Sequence, residues 1–200
     1  YEVKWCLGSS CTAFAHTASA DTSITVNNLT NGSAYTFQVA AKNAAGTGTA
    51  AVSSSLTPRT VPTAPLSILG SVSSQQVSLS WTAPSSNGGA TISDYIVQSC
   101  ISTTCSVVSR DVSATASQIV TSLSNGTTYT FKVAAVNTAG TSSYSVPSNE
   151  VTPRSVAEAP TNATATANNT GGVVVSWTAP TDNGGAAITD YTVQSCVSGT

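Results

Sequence analysis

Two hundred residues, 40% of them hydrophobic, are enough for two domains of ordinary size with a core in each, which excludes a disordered chain. Only 7% of residues are charged against a typical quarter, so solubility rests on Ser, Thr, Asn and Gly, a profile that fits secreted surfaces. Six basic and eight acidic residues, scattered along the chain, leave no basic patch for nucleic acid, and no stretch reaches the roughly 18 apolar residues needed to span a bilayer.

From the start, Tyr1 to Cys6 reads as the middle of a structure, a strand with no basic start and apolar core around it, which places the true N-terminus upstream. Leu29 stands six residues before Tyr35, and Tyr35 and Phe37 share one face of the strand that follows. Val77, Leu79 and Trp81 alternate with polar neighbours, as do Tyr129, Phe131, Val133 and Ala135. A period of two marks half-buried strands. Asn87-Gly88-Gly89 and Asn125-Gly126 break the chain between strands, and no sustained helical period with caps is present.

The chain repeats itself. "LSWTAP" at 79 to 84 returns as "VSWTAP" at 175 to 180, and "NGGATISDYIVQSC" at 87 to 100 returns as "NGGAAITDYTVQSC" at 183 to 196. "NGSAYTFQVAAKNAAGT" at 31 to 47 returns as "NGTTYTFKVAAVNTAGT" at 125 to 141. The unit is a module of about 95 residues, room for seven or so short strands in a two-sheet sandwich.

These residues resemble the fibronectin type III family. The likeness lies in a Trp of the second strand (Trp81, Trp177), a Tyr opening the third (Tyr95, Tyr191) and a Leu six residues before a Tyr in the sixth (Leu29 and Tyr35, Leu123 and Tyr129). The run from Tyr129 to Ser148 also resembles the sixth strand and last loop of the family. The resemblance implies an all-β fold of tandem immunoglobulin-like sandwiches, and the "NGGA" phrasing and scarcity of charge are closer to bacterial members. Register divides the chain into a partial module at 1–59 from the third strand onward, a complete one at 60–153, and a partial one at 154–200 holding the first three strands. The joins, "LTPRTVPTAP" and "VTPRSVAEAP", are short and bounded by prolines, which predicts semi-rigid spacers.

Laid on the repeat, Cys6 and Cys11 match Cys100 and Cys105, and Cys196 matches Cys100, with its partner due beyond residue 200. Each pair brackets a four-residue hairpin, where facing Cα atoms lie about 4.5–5.5 Å apart, within disulfide range. Cys6–Cys11 and Cys100–Cys105 disulfides are therefore expected, each contributing about 2 kcal/mol. They imply an oxidising compartment, extracellular or at the cell surface. Free thiols and zinc are the alternatives, but C-x4-C is not the C-x2-C spacing of zinc knuckles. Alternation turns Cys100 away from the face of Tyr95 and Val97, which predicts a bridge near the surface.

Nothing in the sequence assembles a catalytic or metal site, and no cofactor is implied. His16 is the single histidine, and its counterpart in the complete module is Arg110. Asp94 and Asp190 are one position in two modules and read as strand starts, and Asp182 alone falls short of a calcium loop. Trp81, Tyr95, Leu123, Tyr129, Phe131, Trp177, Tyr191, Leu29, Tyr35 and Phe37 are read as core, with Trp5 harder to place. N-x-S/T sequons at Asn28, Asn31, Asn125, Asn162 and Asn168 are expected by chance in such a composition.

The function read from this pattern is a structural or adhesive extracellular repeat protein, not an enzyme, forming a rod, stalk or filament on a cell surface. The alternative is a set of spacer modules in a large secreted polysaccharide-degrading enzyme. The expected partners are neighbouring modules of the same chain and identical chains in a filament, the surface ligand being unknown. A receptor role for the loops at Asn87 to Thr91 and Asn137 to Ser145 ranks last.

Overall fold

The computed structural model describes residues 1–13, 15–16, 20–111 and 113–196, with the side chains of 15, 16 and 109–111 outside that description. Its elements are all strands. The first group is β1 (Glu2–Leu7), β2 (Ser10–Cys11), β3 (Ala15–His16), β4 (Tyr35–Ala40), β5 (Lys42–Asn43), β6 (Gly46–Thr47) and β7 (Ala51–Val52). The second comprises β8 (Leu66–Ser73), β9 (Gln76–Thr82), β10 (Asp94–Ile101), β11 (Thr104–Asp111), β12 (Ser117–Val120), β13 (Thr130–Asn137) and β14 (Gly140–Thr141). The last two are β15 (Thr161–Ala167) and β16 (Val173–Thr178).

The second group makes a sandwich of two antiparallel sheets, ordered β12-β9-β8 and β11-β10-β13-β14. Alternation decides which side chains face inward: along β9 Val77, Leu79 and Trp81 are buried while Ser78 and Ser80 are exposed. They meet Tyr95, Val97, Phe131, Val133 and Ala135 from the facing sheet, with Ile68, Val120, Leu123 and Val151 closing the same core. The Trp81 and Tyr95 rings cross edge to face at 5.1 Å. Tyr129 pins the chain at the sandwich corner, its hydroxyl oxygen accepting from the Ser124 N–H at 3.1 Å. Tyr35 does the same with the Thr30 N–H at 3.0 Å.

Alternation does not describe the chain after β14. There Ser142, Ser145 and Ser148 are buried at every third position. Each serine N–H donates to a β13 carbonyl, of Ala135, Val133 and Phe131 respectively, at 2.8–2.9 Å. Each serine Oγ accepts the N–H of that same β13 residue at 2.9–3.0 Å. The hydroxyls stand in for backbone carbonyls, so a segment with a period of three still satisfies the edge of β13.

In the first group β1 pairs with β4 over six residues, and β4 with β7. The trailing segment forms the hairpin β15–β16, and residues 190–196 join no ladder, so the third strand expected from Tyr191 to Cys196 is not formed. The physical reason is pairing. β10, its counterpart, is hydrogen-bonded along its length to β13, and the described trailing residues hold no counterpart of β13.

Candidate functional site

The cysteine hairpins are formed by register: Cys6 faces Cys11 and Cys100 faces Cys105 as Cα partners. Both pairs are disulfides, with Cα atoms 3.9 and 4.0 Å apart. Cys196 is a free and exposed thiol. Each bridge joins a buried cysteine to one nearer the surface: Cys6 and Cys100 are 3% and 2% exposed, whereas Cys11 is exposed and Cys105 half-buried. Cys100 is outside the inter-sheet core, so alternation placed it on the right face. That outer face is covered by neighbours from the next strand, as where the Gln38 amide of β4 lies 3.9 Å from the Cys6 sulfur.

Trp81, Tyr95, Leu123, Tyr129 and Phe131 come together in the central core. Tyr35 is buried, whereas Leu29 and Phe37 are half-buried. Trp177 and Tyr191 are also half-buried, their rings 5.1 Å apart. Trp5 sits opposite Phe37 in the β1–β4 pair. A groove of about 840 Å³ opens over that sheet, lined by Val3, Ile24, Leu29, Phe37, Val39 and Leu56 among others. In the central sandwich the equivalent face of β10 and β13 is roofed by β8 and β9.

No group of three His, Cys, Asp or Glu able to hold a metal occurs among the described residues. Asp182 accepts the Gly184 N–H at 2.7 Å and Asp190 the Tyr191 N–H at 2.7 Å, so both shape local turns. Asp94 is buried at the head of β10. The His16 and Arg110 side chains lie outside the described part of the structure. Of the sequon residues, Asn125 is engaged on both sides of its amide: Oδ1 accepts the Gln75 N–H at 2.9 Å and Nδ2 donates to Ser155 Oγ at 3.2 Å.

The loops set aside for ligand recognition close on the chain itself. The Asn137 amide donates to the carbonyls of Thr60 and Asn87 at 2.8 and 2.7 Å, tying the turn after β13 to the linker and to the loop before β10. Arg59 of the linker reaches Thr138 Oγ1 at 2.9 Å. These bonds gather the linker, the turn after β13 and the loop before β10 where one repeat meets the next. Sequence reasoning read Asn87-Gly88-Gly89 and Asn125-Gly126 as plain turns. The signal that pointed further was their recurrence at Asn183-Gly184-Gly185 and Asn31-Gly32.

The profile of the fibronectin type III domain matches residues 61–151. The chain is 33% identical to Chitinase A1 of Niallia circulans over 151 residues, covering 71% of this chain and 20% of that protein. It is 32% identical to a Kelch domain-containing protein of Saccharolobus solfataricus over 122 residues, 61% of this chain and 17% of that protein. The chain thus spans about a fifth of the length of either relative. A crystal structure of titin domains superimposes with a TM-score of 0.53 at 27% identity, over 75% of this chain and 53% of that one. The two-sheet core, the paired Tyr corners and these matches lead to one conclusion: the chain carries a fibronectin type III domain at residues 61–151, flanked by segments that repeat parts of it.

Proposed function

We propose that this chain is a structural segment of an extracellular protein, whose repeated sandwiches build a rod, stalk or filament that holds other parts of the protein at a distance. Residues 1–59 and 154–200 are parts of modules in this reading, and 60–153 is one whole. The observation that supports it most directly is that one sandwich plan and one linker recur along the chain, Pro58-Arg59-Thr60-Val61 answering to Pro153-Arg154-Ser155-Val156. Hairpin disulfides favour an oxidising, extracellular setting. Adhesion through a surface ligand and packing of identical chains are further steps of the same proposal.

A second reading, spacer modules beside a polysaccharide-degrading domain, is favoured by the likeness to Chitinase A1. Both are tested by deleting residues 60–153 in frame from the natural full-length polypeptide. Three things are then followed: its location, its length by electron microscopy, and its release of sugar from chitin. Shortening by roughly 30 Å, about one strand length at 3.3 Å per residue, with location unchanged, supports the rod. Loss of hydrolysis of particulate chitin, with soluble chitin still cleaved, decides for the enzyme spacer. A polypeptide found only inside the cell, with its cysteines open to alkylation, overturns both.

A further inference from the structure

The two joints between repeats share the same pair of backbone hydrogen bonds. In the first, the Gly32 N–H donates to the Pro58 carbonyl and the Thr60 N–H to the Gly88 carbonyl, both at 2.9 Å. In the second, the Gly126 N–H donates to the Pro153 carbonyl and the Ser155 N–H to the Gly184 carbonyl, again at 2.9 Å. The linker is thus hydrogen-bonded to the Asn-Gly turn behind it and to the Asn-Gly-Gly loop ahead of it.

The glycines at these places are required by contact as well as by backbone angle. A Cβ on Gly88 would stand 2.1 Å from the Thr60 carbonyl oxygen, and on Gly184 2.1 Å from that of Ser155. A Cβ on Gly89 would stand 2.2 Å from the Gly32 nitrogen, and on Gly185 2.2 Å from the Gly126 nitrogen. Each obstacle is backbone and has no rotamer to yield. Gly171 makes the contrast: its φ of +80° equals that of Gly32 and Gly126, yet a Cβ there meets nothing within 4 Å. Positive φ alone asks only for a residue tolerant of the left-handed region, such as Asn. The bare backbone-to-backbone approach across the joint asks for glycine.

We infer that the Asn-Gly-Gly loop of each module is a docking surface for the Asn-Gly turn and linker of the module before it, locking successive modules into one repeated orientation so that the array is a stiff rod of regular pitch. Short proline linkers restrict a joint but leave its twist open, whereas two glycine backbones in contact, with a hydrogen bond on either side, define it. This goes beyond the spacer reading, because a spacer works with loose joints as well.

The test places spin labels, through unnatural amino acids, at the exposed positions 52 and 119 across the first joint and 119 and 174 across the second, in the full chain. The unsubstituted chain is expected to give one narrow distance peak for each pair. Gly89→Ala should lose the narrow peak across the first joint and keep it across the second, Gly185→Ala the reverse, and Gly171→Ala should keep both. Amide exchange in β10 and β13 reports whether the sandwich survives each change. A broad distribution in the unsubstituted chain overturns the inference with no variant needed, as does a Gly89→Ala chain that keeps its narrow peak. Either result leaves the spacer reading standing, since that reading falls on location and length instead.

Discussion

Residues 94–100 and 190–196 differ at one position, Ile96 against Thr192, and yet they are structured differently. The first copy is strand β10, with Tyr95 2% and Val97 0% exposed and Cys100 bridged to Cys105. The second joins no ladder, Val193 is 55% exposed and Cys196 is a free thiol. Local preference is nearly the same in both, so the difference comes from what lies alongside. β10 is flanked by β13 on one side and β11 on the other and is roofed by β9. Strand propensity here measures fit to a half-buried surface that other segments must supply.

The largest test of this comparison removes the surface that β10 rests on. Phe131 of β13 lies opposite Ser99 and is completely buried. Phe131→Ala should destabilise the central sandwich by about 3–5 kcal/mol, the cost of a large cavity in a closed core. Its counterpart Phe37 faces the open groove, and Phe37→Ala should cost well under half of that. Denaturant unfolding followed by amide exchange in β10 and β4 reads the two separately. Equal losses at the two sites would mean that the groove over β4 is as closed as the central core.

Much of the central sandwich was legible because its signals are local and periodic. Val77, Leu79 and Trp81 announce β9, Tyr129 to Ala135 announce β13, and the four-residue spacing of the cysteines announces a bridged hairpin. What remained hidden depends on partners distant in sequence. Nothing near Cys100 says that its outer face is covered, and nothing near Gly89 says that the Gly32 backbone presses against it. The serine run after β14 was hidden differently, since a period of three matches neither strand nor helix until the donors of β13 are set beside it.

Those serines give a smaller effect. Ser145→Ala leaves the Val133 N–H buried without its 3.0 Å acceptor, so a loss of about 1–3 kcal/mol is expected. In the leading segment Ser53 accepts the Phe37 N–H at 2.9 Å in an exposed setting, where water can replace the hydroxyl. Ser53→Ala should therefore cost about 0.5 kcal/mol or less. A chain that tolerates both changes equally would show that the hydroxyls only decorate the edge of β13.

The smallest effect concerns the phenol of Tyr95, whose pKa burial raises above the ordinary 10.0. Deprotonation would place a negative charge against Trp81 in the core, so the folded chain holds this proton more tightly than the unfolded one. The stabilisation is fully present below pH 10.0, because both states are then protonated. As pH rises past 10.0 the unfolded chain gives up the proton first, and stability falls until the folded phenol also ionises. Tyr95→Phe has no phenol to lose, so its stability measured by denaturant unfolding between pH 9 and 12 should decline less steeply than that of the unsubstituted chain. Parallel curves would mean that the ring is more open to solvent than its packing against Trp81 and β13 implies.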